Sequence, residues 1–319
     1  LLISLIYMKF YLYLIPFFLL NLSCSSGDDT NLKDKSLSSD PFPGSITLTH
    51  NELDREYYVY VPSSYNATDT SPIMFNFHGG AGSIASAVYR SDMRSLADTN
   101  GFILVYPQGI GDPTDLSKPE AVWTYKTEAA NTAVDNLGFV EAMIDALSTD
   151  YNIDLNRVYA CGYSNGGEFS QELAVRLGNK IASIASVSSS MQQETYDQTQ
   201  ILPSNPTAVL TINGTEDFYY QYNGTLPYFV SLADVNNYWI NHNKCNTSPT
   251  VVQVENTNTN DGSEVERYTW NNGNGNVSVE HLKIIGGGHD WPGSFGNMDI
   301  NSDNEIWKFV SQYDLNGLK

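Results

Sequence analysis

Cysteine is scarce in this sequence, with three residues among 319. Cys24, Cys161 and Cys245 are too few for a disulfide scaffold, and none has the C-x-x-C spacing that indicates a zinc site. A phosphate-binding loop is also missing. The residues therefore predict neither a metal nor a cofactor, and the fold must rely on its hydrophobic core.

Basic residues are few as well. The chain has 16 Lys and Arg against 36 Asp and Glu, a formal net charge of −20. Binding to nucleic acid or to an anionic membrane surface needs clustered Lys and Arg, so this balance argues against both partners. A neutral or weakly charged substrate fits better, and the scattered acidic residues are typical of a soluble protein in an exposed environment.

The first 24 residues are predicted to be a signal peptide. From Met8, the expected true start, one Lys precedes an apolar run that is too short for a spanning helix. Leu-Ser-Cys ending at Cys24 is similar to a bacterial lipobox, although Asn21 departs from the usual aliphatic residue. Two destinations follow from this segment. The protein is either anchored by a lipid at Cys24 and exposed on the outer membrane, or simply secreted. Residues 25–44 are predicted to be a flexible linker.

Residues 45–319 are predicted to form a single α/β domain, because strand-like runs alternate with helical patterns. This alternation predicts a mostly parallel sheet with helices on both faces. Strands are predicted for a hairpin at 46–49 and 56–62, for 73–77, 103–107, 158–161, 184–187 and 207–213, and on both sides of the turn at 272–275; helices are predicted for 86–100, 138–147, 166–177, 232–242 and 305–313.

The strongest chemical motif is Gly162-Tyr163-Ser164-Asn165-Gly166-Gly167, between the strand V-Y-A-C and a helical segment. A nucleophile elbow needs small residues two before and two after its serine, because the turn brings strand and helix close together. Both positions are glycine here. The motif and its context predict that Ser164 is a nucleophile in an α/β-hydrolase fold.

A glycine-rich loop, His78-Gly79-Gly80-Ala81-Gly82, follows the predicted strand at 73–77. Such a loop lets a backbone N–H approach the substrate, and together with the N–H of Asn165 it would form an oxyanion hole. The alternative is an ordinary glycine turn after a strand.

The general base is predicted to be His289. Among five histidines it alone follows a strand in a glycine loop, and it comes after Ser164 in the order expected for this fold. The acid must lie between these two residues. Asp217 fits best because a strand and a glycine turn precede it, while Glu216 and Asp234 stay open as alternatives.

Aromatic residues are abundant, with 21 Tyr and 5 Trp. Trp291, Tyr163 and Tyr219 lie next to the predicted catalytic residues and are candidates for substrate binding, by stacking on a phenolic group or a sugar ring. Packing is the alternative role for these side chains.

With these motifs, the chain resembles the polyhydroxybutyrate depolymerase, feruloyl esterase and acetylxylan esterase group of α/β-hydrolases. The blocks that carry the resemblance are Y-V-Y-V-P, F-H-G-G-A-G, M-R-S-L-A-D-T-N-G-F-I-L-V-Y-P-Q-G, N-I-D-L-N-R-V-Y-A-C-G-Y-S-N-G-G, N-G-T-E-D and G-G-G-H-D-W-P-G. The resemblance implies that Ser164, Asp217 and His289 form the catalytic triad. It also implies that the N–H groups of Gly80 and Asn165 form the oxyanion hole.

The chain departs from this group at three positions. Asn213 stands where the group usually has His, and Asp290 stands where it usually has Thr. Cys245 occupies the place of a common disulfide partner, but no cysteine follows it, so we expect it to be unpaired with anything downstream. Cys161 is expected to be a small buried hydrophobic residue.

The leading functional hypothesis is a secreted or surface-anchored serine esterase. It would act through an acyl-enzyme and release hydroxycinnamoyl or acetyl groups from polysaccharide. Hydrolysis of a polyester such as polyhydroxybutyrate is the alternative within this class. A carbohydrate-binding surface lipoprotein without turnover is the alternative from another class, and a peptidase is disfavoured because no propeller-length domain precedes the motif.

Overall fold

The computed structural model of the chain describes residues 42–111, 121–123, 134–197, 205–225 and 227–319. The predicted signal peptide and nearly all of the predicted linker lie outside these ranges, so the predicted boundaries stay predictions. The described residues all belong to one compact unit, Pro41–Lys319.

The centre of the fold is a ten-stranded sheet with the order β1-β2-β4-β3-β5-β6-β7-β10-β9-β8. Its strands are β1 (Ser45–His50), β2 (Leu53–Tyr60), β3 (Ser71–Phe77), β4 (Ile103–Pro107), β5 (Ile153–Tyr163), β6 (Ser183–Val187), β7 (Ala208–Gly214), β8 (Thr250–Gln253), β9 (Glu264–Trp270) and β10 (Val279–Ile285). A separate two-stranded sheet pairs β11 (Tyr313–Asp314) with β12 (Gly317–Leu318).

Six central strands, from β4 to β10 in the sheet order, run parallel, and antiparallel strands complete both edges. Carboxyl ends of parallel strands meet at one edge of a sheet, which is where α/β folds place their ligands. The loops that follow β3, β5, β7 and β10 therefore gather at one edge. These four loops carry the predicted oxyanion loop, nucleophile, acid and base.

Helices cover both faces of the sheet, as predicted, and the predicted fold class is confirmed. They are α1 (Ile84–Arg90), α2 (Arg94–Asn100), α3 (Asn136–Asp150), α4 (Asn165–Arg176), α5 (Gln193–Asp197), α6 (Leu232–Asn243) and α7 (Ser302–Val310), with one 3₁₀ turn at Asn274–Asn276. Alternate residues of each central strand face opposite sides: Phe75 packs in one hydrophobic cluster and Met74 in the other. Both faces are dry, which explains why the central strands are continuously apolar.

The single helix predicted for 86–100 is wrong, because the chain forms α1 and α2 with a break at Ser91–Met93. The Ser91 hydroxyl donates to Asp303 at 2.7 Å and accepts from the Asn76 amide at 2.8 Å. The Met93 N–H donates to the Tyr106 hydroxyl at 3.1 Å instead of to a helical carbonyl. Tertiary hydrogen bonds thus replace the helical ones at this point.

The last helix also differs from the prediction, since α7 begins at Ser302 rather than 305. The side chain of Asn301 accepts from the N–H of Asn304 at 3.0 Å and caps the helix. Cys161 is buried and Cys245 is unpaired, as predicted; Cys161 is also free and Cys245 is also buried. Within the described ranges, no helix combines the length and the apolar character that crossing a membrane requires.

Candidate active site

Ser164 lies at a sharp turn between β5 and α4. Its backbone has φ 54° and ψ −122°, a conformation that is costly for a residue with a side chain. The Ser164 N–H donates to the Val187 carbonyl of β6 at 2.9 Å, and its carbonyl accepts from the Glu168 N–H at 3.0 Å. The neighbouring strand and the first turn of the helix therefore hold the serine in this strained conformation.

The glycines on both sides of Ser164 are sterically required. A Cβ on Gly162 would lie 2.4 Å from backbone atoms of Gly166, and a Cβ on Gly166 would lie 2.3 Å from the Phe77 carbonyl oxygen. Both distances are far below van der Waals contact, and backbone atoms cannot rotate away. The G-x-S-x-G pattern thus follows from the close approach of β3, β5 and α4.

Asp217 and His289 form a hydrogen bond of 2.8 Å between the carboxylate Oδ2 and the ring Nδ1. Asp217 is 3% exposed, and its Oδ1 accepts from the N–H groups of Tyr219 and Tyr220 at 2.8 and 2.9 Å. The carboxylate is therefore fixed before it meets the imidazole. With Nδ1 engaged, Nε2 is the ring nitrogen available to take a proton.

The other two acids do not occupy this position. Glu216 is exposed, and Asp234 accepts from the Ser231 hydroxyl at 2.6 Å at the start of α6. Among the hydrogen bonds of the described residues, none joins Ser164 to His289. Such bonds are often long in a free enzyme and shorten when substrate binds, so the three residues still form a candidate triad whose roles stay predictions.

Three tyrosine rings surround His289. The ring centroids of Tyr163, Tyr219 and Tyr220 lie 4.8, 4.9 and 5.9 Å from that of the imidazole. The Tyr163 hydroxyl also donates to the His289 carbonyl at 2.7 Å. The three rings and this hydrogen bond therefore fix the position of the imidazole.

The predicted substrate-binding aromatics have different positions. Tyr219 is 67% exposed and offers its ring beside His289, whereas Trp291 is only 1% exposed. The Trp291 indole N–H donates to Asp303 at 3.0 Å, and its ring lies 6.4 Å from the ring of Tyr163. The geometry therefore favours packing for Trp291 and leaves Tyr219 as the aromatic open to a ligand.

The predicted oxyanion loop follows β3 and lies against the start of α4. A Cβ on Gly80 would meet the Asn165 Cβ at 3.7 Å, so these two residues are neighbours. The Asn165 side chain accepts from the Trp123 N–H at 2.7 Å and donates to the Trp123 carbonyl at 3.2 Å. These bonds hold the residue after the nucleophile, and its backbone N–H belongs to the first turn of α4.

His78, which begins this loop, is a structural residue. Its Nδ1 lies 2.7 Å from the Gly79 carbonyl, and its Nε2 lies 2.8 Å from the Gly109 nitrogen. A neutral imidazole with the proton on Nδ1 satisfies both bonds. Burial lowers the pKa of His78 to about 4. The imidazole is therefore uncharged when it holds the loop through these two hydrogen bonds.

Sequence reasoning missed a buried polar pair beneath Ser164. The Tyr220 hydroxyl donates to Glu168 Oε2 at 2.7 Å, and the Gln192 amide donates to Glu168 Oε1. Burial and the adjacent carboxylate raise the pKa of Tyr220 well above its usual value, while the nearby Ser164 hydroxyl lowers it. The available sequence signal was the position of Glu168, one helical turn after Ser164.

Two of the three departures from the group, Asp290 and Asn213, also have structural roles. The Asp290 carboxylate accepts from the Gly288 N–H at 3.1 Å, and its carbonyl accepts from the Ser188 hydroxyl at 2.6 Å. The Asn213 amide donates to the Ser189 carbonyl at 2.7 Å. Asp290 thus supports the glycine loop that carries His289.

The chain is similar to known esterases. Residues 55–202 match the family described as esterase PHB depolymerase. The chain is 28% identical to the bifunctional acetylxylan esterase/xylanase XynS20E of Neocallimastix patriciarum, over 82% of this chain and 34% of that protein. It is 27% identical to feruloyl esterase B of Piromyces equi, over 82% of this chain and 46% of that protein. The chain thus spans between a third and a half of these curated relatives.

Among solved structures, the acetyl xylan esterase from Aspergillus awamori has a TM-score of 0.62 at 14% identity, with 84% of this chain and 98% of that chain covered. The fold is therefore that of the α/β-hydrolases, and residues 55–202 are similar to a family of esterases. The predicted resemblance to the polyhydroxybutyrate depolymerase, feruloyl esterase and acetylxylan esterase group is confirmed.

Proposed function

We propose that the protein hydrolyses carboxylic esters through an acyl-enzyme formed on Ser164. The observation that carries this proposal is the 2.8 Å hydrogen bond between Asp217 and His289. It joins the ends of β7 and β10 beside the strained serine at the end of β5. A buried acid that orients an imidazole next to such a serine is the arrangement that activates a hydroxyl as a nucleophile.

In the first step His289 Nε2 accepts the Ser164 proton while Oγ attacks the ester carbonyl carbon. The tetrahedral intermediate carries a negative charge on oxygen, which the N–H groups of Gly80 and Asn165 would stabilise. Asn165 begins the 12-residue helix α4, so the positive end of the helix dipole adds to this stabilisation.

The intermediate then collapses, and His289 returns its proton to the leaving alcohol. Water repeats the sequence: His289 accepts a proton from water, hydroxide adds to the acyl carbonyl, and Ser164 leaves with the proton from His289. In both halves Asp217 holds the imidazole in the required tautomer and stabilises the imidazolium.

We further propose an ester-bearing polysaccharide as the substrate, with an acetyl or hydroxycinnamoyl group as the acyl part. Two named relatives are an acetylxylan esterase and a feruloyl esterase. The exposed rings of Phe218 and Tyr219 lie in edge contact at 5.8 Å, and the Tyr219 ring lies 4.9 Å from that of His289. The two rings offer apolar faces to a phenolic group or a sugar. A net charge of −20 also favours a neutral substrate.

A polyester is the second candidate, because the matching family is described as esterase PHB depolymerase. A carbohydrate-binding protein without turnover is the weakest candidate. Such a protein has no need for a buried Asp217 hydrogen-bonded to His289 beside a strained serine.

The decisive experiment compares the wild type with Ser164→Ala on p-nitrophenyl acetate, methyl ferulate, acetylated xylan and polyhydroxybutyrate film. Ser95→Ala, at an exposed position on α2, is the matched control. We expect hydrolysis by the wild type and the control and none by Ser164→Ala, and the preferred substrate decides between polysaccharide and polyester. The proposal would be refuted if none of the three proteins hydrolysed any of these esters.

We also propose export, on the basis of the segment from Met8 to Cys24. Expression in a bacterial host with radiolabelled palmitate tests the lipid anchor. Label in the wild type that disappears in Cys24→Ser supports the anchored form. Unlabelled protein released to the medium in both cases supports simple secretion.

A further inference from the structure

A pocket of about 250 Å³ lies between α6 and the strands β9 and β10. Tyr268 and Trp270 on β9 point to the same side of the sheet as His281 and Lys283 on β10, because Tyr268 pairs with His281 across the two strands. The volume equals about eight water molecules at roughly 30 Å³ each, which suits a single sugar ring rather than a long ligand.

Two aromatic rings form one wall of this pocket. The ring centroids of Tyr268 and Trp270 lie 6.0 Å apart with an interplanar angle of 19°, and both side chains are partly exposed. The two rings are therefore nearly parallel neighbours at the edge of the pocket. The C–H groups on one face of a pyranose carry partial positive charge and pack well on the negative face of such rings.

The polar groups of the pocket are suited to hydroxyl groups. Asn237 is exposed on α6, and Asn236 beside it accepts from the Thr211 hydroxyl at 3.2 Å, which fixes its amide. Lys283 donates to Glu266 Oε2 at 3.2 Å. This carboxylate offsets the ammonium charge, so the pocket is a poor site for phosphate and a suitable one for a neutral, hydroxyl-rich ligand.

The floor of the pocket is rigid and joins the catalytic loop. His281 Nδ1 lies 2.8 Å from the Thr211 hydroxyl, and its Nε2 lies 2.7 Å from the hydroxyl of Tyr222. Tyr222 follows Asp217 by five residues, so one loop carries both the candidate acid and a wall of this pocket.

We propose that this pocket binds one pyranose unit of a neutral polysaccharide, as a second site separate from the triad. The proposal rests on the proposed polysaccharide esterase function. A sugar held here would keep an insoluble or long substrate next to the catalytic loop while its ester groups enter the site at Ser164.

The test uses unesterified xylohexaose as the probe, so that no acyl group contributes to binding. All binding measurements use the full chain with Ser164→Ala, titrated by calorimetry. We expect Trp270→Ala to weaken binding at least tenfold. Removal of one hydrogen-bonding side chain in Asn237→Ala is expected to weaken it about fivefold. Tyr89→Ala, at a 90% exposed aromatic on α1, is the matched control and should bind like the parent.

Thermal unfolding of each variant reports whether it is folded. If Trp270→Ala does not fold, the exposed Asn237→Ala decides the question. The proposal is overturned if the parent does not bind xylohexaose, or if both pocket variants bind it as the parent does. Hydrolysis of p-nitrophenyl acetate by the chain with its native Ser164 is measured separately, so loss of the esterase proposal and loss of the pocket proposal give different results.

Discussion

Replacing Asp217 by asparagine tests the role of the buried carboxylate while keeping the shape of its side chain. The amide oxygen of asparagine can accept the same two backbone N–H groups, at 2.8 and 2.9 Å, that Asp217 Oδ1 accepts now. Its amide nitrogen would then face His289 Nδ1 at the 2.8 Å position of Oδ2. A donor there forces the imidazole into the tautomer with its proton on Nε2, which cannot take a proton from Ser164.

The expected loss follows from this change of tautomer. Asparagine also removes the negative charge that stabilises the imidazolium, and the two effects together lower kcat/KM by on the order of 10⁴, or about 5.5 kcal/mol. The fold should survive because the backbone hydrogen bonds are kept. Replacing a charged acceptor by a neutral one costs about 1–3 kcal/mol of unfolding free energy.

The assay is initial-rate hydrolysis of p-nitrophenyl acetate, with urea unfolding measured on the same preparations. Glu216→Gln is the matched control, since Glu216 is the exposed neighbour that sequence reasoning left open as the acid. The control should keep wild-type kcat/KM. An Asp217→Asn protein within tenfold of the wild type, or a Glu216→Gln protein as inactive as Asp217→Asn, would refute the assignment.

Three further predictions concern the surroundings of the triad. Gly162→Ala places a Cβ 2.4 Å from backbone atoms of Gly166, so we expect more than about 3 kcal/mol of destabilisation in urea; an unchanged midpoint would contradict the steric argument. Tyr220→Phe removes the 2.7 Å hydrogen bond to the buried Glu168, and unfolding free energy should fall by about 1–3 kcal/mol together with kcat/KM; wild-type values for both would exclude a positioning role. Burial lowers the pKa of His281 to about 4 from its ordinary 6.5. As the pH falls, His281 is therefore protonated in the unfolded chain before it is protonated in the folded one. The stability that comes from the neutral, buried His281 is complete above pH 6.5, and about 3 kcal/mol of it is lost as the pH falls to 4. Urea unfolding between pH 7.5 and 4.5 should therefore show a shallower dependence in His281→Asn, and identical slopes would rule this out.

Local motifs explain why the fold and the candidate triad were predictable from the sequence. An elbow is a strand, a turn and a helix in direct succession, and its steric demand is expressed by Gly162 and Gly166 within a few residues of Ser164. The strand limits at 103–107 were also correct, because a short apolar run buried on both faces has a distinctive pattern.

Contacts between distant segments were not predictable in this way. The break between α1 and α2 depends on a hydrogen bond from Ser91 to Asp303, 212 residues away. The hydrogen bond between Tyr220 and Glu168 joins residues that are 52 positions apart, and the local sequence of neither segment predicts it.

The sequence by itself determined the alternation of the central strands with helices, the elbow at Ser164 and the loop that carries His289, since each depends on neighbouring residues and on the period of the apolar pattern. Only the tertiary structure shows that Asp217, and not its exposed neighbour Glu216, is hydrogen-bonded to His289, that Trp291 is buried, and that a pocket lies beside β9 and β10. These outcomes depend on contacts between side chains that are distant in the sequence. Local sequence patterns carry little information about such contacts.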